Sequence, residues 1–400
     1  MAADIETHGS ARAHASSSSG ILNNPLYRSI AIQAVLLIAL GLFVWWLVLN
    51  TSRNLEQANI ASGFDFLDNR AGFDIGQSAI PYTSSSTYGQ ALLVGLVNTL
   101  IVAGAGIVFA TIVGFIVGVG RLSQNFLVRL LSTVYVEIFR NIPPLLVILF
   151  WYFGVLSVLG GPRGIAENPF GFYITNRGLQ TPSPIFEALA WVSVAVFAAG
   201  IVAAILLARR NTRMQLKTGE RKSILWPVLG LVIGLPILAF VVTGLPATID
   251  VPVPSRFNLQ GGFQIKPEFV ALFLALSLYT AAFIAEIVRA GILSVSKGQT
   301  EAASALGLRR SMTLRLVVVP QAFRVIIPPL TSQYLNLIKN SSLGLAIGYP
   351  ELFAIGTTVL NQSGQSIEII VICMGIYLAI SIAVSIFMNW FNSKMALAER

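Results

Sequence analysis

"GQTEAASALGLRRSMTLRLVVVP", residues 298–320, stands between two long apolar runs and is too polar to cross a lipid core. It carries one carboxylate, Glu301, three guanidinium groups at Arg309, Arg310 and Arg315, and small residues at 302, 303, 305 and 307. The run Glu301-Ala302-Ala303-Ser304-Ala305-Leu306 has high helix propensity, and Thr300 is placed to cap it. Gly307 can end the turn and Leu308 continues its apolar side. This pattern predicts a short helix whose small side chains let another surface approach the backbone closely.

The rest of the chain says where such a helix lies. With 55% hydrophobic residues, 11% charged residues and a mean hydropathy of +0.76, 400 residues carry more apolar surface than a soluble fold buries. The chain reads as an all-α integral membrane protein. A hydrocarbon core of about 30 Å takes about 20 helical residues. Eight segments meet or nearly meet that length: 29–49, 90–119, 131–157, 185–208, 223–245, 268–292, 325–343 and 367–391. Asn141-Ile142-Pro143-Pro144 breaks the third, and Pro328-Pro329 interrupts the seventh. Residues 1–28 read as a disordered tail without a secretory-signal pattern, 50–89 as a linker, and 393–400 as a second tail. Cys373 lies alone in an apolar run, so it forms no disulfide framework.

Charge supplies an independent test of topology. The net charge of +9 is not gathered on one polar face or arm, as binding to nucleic acid requires. With the N-terminus inside, the inner connections and tails hold 17 of the 26 Lys and Arg, the outer connections 6, and the spans 3. That asymmetry places both ends in the cytoplasm, and residues 293–324 with them. Anionic lipid is then one available neighbour of this basic loop.

Glu301-Ala302-Ala303, three residues, Gly307, nine residues, Val317, one residue and Val319-Pro320 resemble the EAA signature of the permease subunits of binding-protein-dependent ABC importers. The family's usual ending is Ile-x-Leu-Pro, and Val replaces both aliphatic residues here. "VEIFRNIPPLLVILFWYFG" and "AAFIAEIVRAGILSVSKGQ" look like the polar-amino-acid branch, and the resemblance covers roughly 90–158 and 266–392. It implies a five-span permease domain over 90–392, here with an extra first helix at 29–49 and a two-helix insertion at 159–265. Those additions resemble the larger permease of the proteobacterial general L-amino-acid transport system.

The same resemblance implies that Glu301, Ala302, Ala303 and Gly307, with Arg309 and Arg310 at the rim, contact a cytoplasmic ABC ATPase dimer. A second permease subunit and a periplasmic amino-acid-binding protein complete the implied machine, in a bacterial inner membrane. This chain has no phosphate-cradling loop: Lys217 and Lys222 precede Thr or Ser, but neither follows a glycine. ATP and Mg are accordingly expected on the partner, with no cofactor, metal or catalytic residue on this chain.

Polar groups within spans carry the remaining expectations, because a charge at mid-bilayer costs about 3 kcal/mol. Glu137 with Arg140, and Glu286 with Arg289, are i,i+3 pairs that can neutralise one another near an inner gate. Asn98, Thr99, Gln333, Asn336, Lys339 and Asn340 fit two readings equally: lining a translocation path, or bonding between helices. Two other functions compete with the importer, an ion-coupled secondary transporter and a membrane assembly scaffold.

Overall fold

The computed structural model describes residues 25–57, 63–163, 165–166, 168–219, 223–256 and 258–395. Most of the expected N-terminal tail, and residues 396–400, lie outside them.

The helices follow in chain order: α1 Pro25–Gln57, α2 Tyr88–Gly120, α3 Phe126–Asn141, α4 Pro144–Leu149, α5 Ala190–Thr218, α6 Leu225–Leu229 and α7 Leu235–Val242. Then come α8 Pro267–Leu293, α9 Lys297–Ala305, α10 Arg310–Thr313, α11 Val319–Asn340, α12 Leu352–Ser363 and α13 Ser366–Met395. Among the described residues, seven helical stretches are long and apolar enough to cross a membrane. An eighth is the pair Phe126–Asn141 and Pro144–Leu156, bent by 110° at its break. Pro143 and Pro144 stand at the corner: neither donates a backbone hydrogen bond, and residues ahead of proline disfavour helix.

One expectation needs correction. Pro328 and Pro329 do not interrupt the seventh span, since α11 runs through both and belongs to a helical stretch from Arg310 to Ile347. Both rings lie on the exposed side of the helix, so the lost donors do not open it. A wide helical turn at Leu314–Val318 precedes Pro320 and gives its ring room beside the preceding carbonyls.

Small residues decide the packing. α8 is the axis of the bundle: 56% of its most apolar window is buried, against 0% for α1 and for Leu225–Val242. α2 lies along it with almost no gap, because a Cβ at Gly114 would stand 2.6 Å from the Ile284 side chain and one at Gly118 2.7 Å from the Ala285 carbonyl. Val102, Ala110, Leu272, Leu276, Ile284, Ile326, Ile327 and Leu337 fill the core where α2, α8 and α11 meet.

The insertion closes on itself through short antiparallel strands: β1 Tyr173–Thr175, β2 Gly178–Thr181, β3 Ser183–Phe186, β4 Ala247–Asp250, β5 Val253–Pro254, β6 Leu259–Gln260 and β7 Phe263–Ile265. β2 pairs with both β1 and β7, β3 with β4, and β5 with β6. The ribbons zip the two ends of the insertion together and return the chain to α8. They add a little β-structure to a fold expected to be wholly helical.

The stretch expected as a linker at 50–89 contains a folded cap. Phe66, Ala71 and Tyr88 join Leu352, Ile355, Val359 and Ile369 in a second core, with Phe73, Ile75 and Tyr82 packed against it. The connection at 344–366 is likewise built, because it holds α12. Fully buried Glu351 caps α12, accepting hydrogen bonds from Phe353 N (2.8 Å) and Ala354 N (2.7 Å), and a third from Tyr377 Oη (2.8 Å). Burial raises the Glu351 carboxyl above its usual range, with those donors pulling the other way.

Candidate functional site

α9 leaves α8 after a three-residue turn and lies at the end of the bundle where α2 and α8 finish. It begins at Lys297, one turn before the expected cap; Thr300 is inside it and donates its hydroxyl to the Lys297 carbonyl at 2.7 Å. Its end is as expected, on Gly307, which holds φ +73°. Gly307 N donates to Ser304 O (2.9 Å) and Leu308 N to Ala303 O (3.1 Å), the pair of bonds that satisfies the last carbonyls of a helix stopped by a left-handed residue. No atom lies within 4 Å of where a Gly307 Cβ would stand, so conformation rather than crowding calls for glycine there.

The faces of α9 divide sharply. Ala303, 3% exposed, is its one buried residue, whereas Glu301, Ala302, Ala305, Leu306 and Gly307 are exposed, as are Arg309 and Arg310 beyond it. Leu306 projects at 80% exposure. The site is therefore a small-residue ridge ending in an unburied leucine with two arginines beside it. Gln321 Nε2 on α11 donates to Gln299 Oε1 at 3.2 Å, so α9 is tied to α11 as well as to α8.

Two turns back along α8, Glu286 gathers the charges. It pairs with Arg289 (2.6 Å), with Arg121 at the end of α2, and with Arg140 of α3 (3.9 Å). Glu137 and Arg140 do not pair with each other; Glu137 reaches Arg121 instead, at 3.8 Å. The i,i+3 spacing put them on one helix side, but partners on α2 and α8 compete and win because three helix ends converge there. Arg140 also lies over the Phe283 ring, 5.8 Å from its centroid. Arg121, the first residue after the Gly-rich helix, finds its carboxylates on α3 and α8, too far along the chain for a local sequence signal to show.

The remaining candidates fall into two groups. Asn98 and Thr99 are buried and fully used: Asn98 Nδ2 donates to Gln77 O and Pro350 O, both at 2.9 Å, and its own carbonyl accepts from Tyr349 Oη at 3.0 Å. Thr99 Oγ1 donates to Gly95 O (2.9 Å) and accepts from Leu352 N (3.0 Å). These bonds fasten α12 and the cap to α2. Gln333, Asn336, Lys339 and Asn340 lie on α11, where Val325, Pro328, Pro329, Ser332, Asn336 and Lys339 make one exposed face at helical spacing. Among the described residues no carboxylate pairs with Lys339.

Residues 219–397 fit the model of the binding-protein-dependent transport system inner membrane component. The general L-amino acid transport system permease protein AapQ of Rhizobium johnstonii is 59% identical over 94% of this chain and 94% of its own length. The putative amino-acid ABC transporter permease protein YhdX of Escherichia coli is 50% identical over 94% of this chain and 96% of its own. The glutamate/glutamine/aspartate/asparagine transport system permease protein BztB of Rhodobacter capsulatus is 43% identical over 94% and 95%. A full-length likeness of this depth, on a bundle with a small-residue helix at one end, means that the chain belongs to the family of inner-membrane components of binding-protein-dependent transport systems.

Proposed function

We propose that this chain is the permease subunit of an ATP-driven importer of L-amino acids, with α9 as the element that couples it to an ATPase. The observation that carries the reading is the exposed ridge of Ala302, Ala305, Leu306 and Gly307 on a helix that follows α8 after a three-residue turn and is bonded to α11. A groove in a cytoplasmic ATPase dimer, which binds ATP and Mg, receives this ridge. Closure of the dimer displaces α9, and the two attached helices carry that displacement to the pathway; nucleotide acts only through its different affinity for the two states.

A second permease subunit covers the polar face of α11, and a periplasmic amino-acid-binding protein delivers substrate. Both termini face the cytoplasm of a bacterium, in keeping with the excess of Lys and Arg in the connections on the α9 side. Cysteine placed at exposed Ala302 should crosslink to an ATPase in native membranes. Failure to capture one, or labelling of that cysteine only from the periplasm, overturns the reading. Deleting residues 299–310 should abolish uptake while the protein still inserts, and uptake that survives ATP depletion would mark a gradient-driven transporter instead.

A further inference from the structure

At the end of α8 remote from α9, the cap and α12 enclose a cleft of about 400 Å3. That volume is within the range of small-molecule sites, roughly 300–1,000 Å3. Its charged lining is Asp74 of the cap, with Lys266 and Glu268 at the start of α8, and Pro350 and Ile355 form part of its opposite wall. Gln77 lines it too.

The cleft is built rather than incidental. Asn98, 1% exposed, donates to Gln77 O on one wall and to Pro350 O on the other, so a single buried amide sets the spacing of the two walls. Tyr82 Oη holds the cap's Phe73 carbonyl at 3.0 Å. Glu268 accepts from Tyr152 Oη at 3.1 Å, which fixes where its carboxylate stands. The Asn98 and Tyr152 bonds join separate parts of the chain and the Tyr82 bond braces the cap, so two carboxylates and one ammonium line the same space.

That combination matches one chemistry. A zwitterion brings an ammonium with three donors and a carboxylate with only acceptors. Asp74 and Glu268 supply acceptors for the first, and the Lys266 ammonium supplies the donor for the second. We propose that this cleft is an entry site that holds the α-ammonium and α-carboxylate of a free amino acid before it passes into the translocation path. The proposal rests on the importer reading and adds a location on this chain where substrate is recognised by its backbone groups rather than its side chain. Recognition of that kind suits a permease that receives amino acids with different side chains.

The test uses the whole complex in lipid, without the binding protein, and radiolabelled L-glutamine as probe. Saturable binding is expected, weakened at least tenfold in both Lys266→Gln and Asp74→Asn and restored substantially by Lys266→Arg. N-acetyl-L-glutamine and L-glutamine amide, which lack one of the two charges, should compete at least tenfold more weakly. No saturable binding by the wild type, unchanged binding in Lys266→Gln, or full competition by the N-acetyl compound each overturns the proposal. Basal ATPase activity and co-purification of the subunits are read in the same samples. A wild-type complex that keeps its ATPase subunits but binds no glutamine locates the failure at the cleft, and loss of the ATPase subunits locates it at the coupling by α9.

Discussion

Gly307 sits in the left-handed region, which costs a residue with a Cβ about 1–2 kcal/mol. Gly307→Val should therefore unravel the end of α9 and reduce uptake severalfold with little loss of membrane insertion, while Gly307→Asn, which tolerates that conformation, should keep most activity; uptake beside insertion assays reads both. Glu286 presents the opposite case, a side chain whose loss strands its neighbours. Glu286→Gln leaves Arg289 without its carboxylate and Arg121 with only Glu137 at 3.8 Å, and should cost about 1–3 kcal/mol, visible as a lower Tm in detergent. Glu137→Gln should cost under about 1 kcal/mol, because Glu137 is 56% exposed and 3.8 Å from Arg121. Glu351 titrates against the fold: its carboxyl is raised by burial, so the native state holds the proton more tightly than the unfolded chain. Stability from this group is full at low pH and falls as pH rises above the ordinary carboxylate range. The downward slope of Tm with pH there should flatten in Glu351→Gln. Gly307 was legible in the sequence because its role is local; Arg121 and Glu351 were not, because their partners come from distant elements.

Between elements, backbone approach is the controlling quantity. The contact of α2 with α8 depends on Gly114 and Gly118, where an added side chain meets Ile284 and the Ala285 carbonyl. Gly114→Leu should overpack that seam and cost about 1–3 kcal/mol, whereas Gly104→Leu, which meets no atom within 4 Å, should be nearly silent in the same thermal assay. Glycines recur along α2 at 104, 106, 114, 118 and 120, but which of them face α8 depends on helix rotation and is not legible in the sequence. Long spans were legible because 20 or so apolar residues admit few alternatives in a bilayer. α12 and the cap were hidden for the converse reason: they are short, half-polar segments stabilised by each other and by Asn98 and Thr99 on α2, so no single window of sequence contains their cause. Lys339 shows the same limit from another side, because two prolines in the sequence imply a broken helix and the bundle carries α11 through them.

At the scale of the molecule, α11 supplies a surface the chain cannot complete alone. Ser332, Asn336 and Lys339 are exposed on a helix of the bundle, and a charge facing hydrocarbon costs about 3 kcal/mol on insertion scales. Lipid cannot be the permanent neighbour of that face, so it must meet water, protein or both. α1 behaves differently: it is exposed along its length but apolar throughout its span, and lipid satisfies it. The second permease subunit is then expected on α11 and not on α1. A cysteine pair scan should find efficient crosslinks to a neighbouring permease from Ser332 and Asn336, and few from Leu37 or Val44 of α1. Strong capture from α1 with none from α11 would place the pathway elsewhere. Adding substrate and ATP should change crosslinking at Asn336 if the covered face opens and closes during transport, because α11 is joined through Gln321 to Gln299 of α9, the element proposed to meet an ATPase.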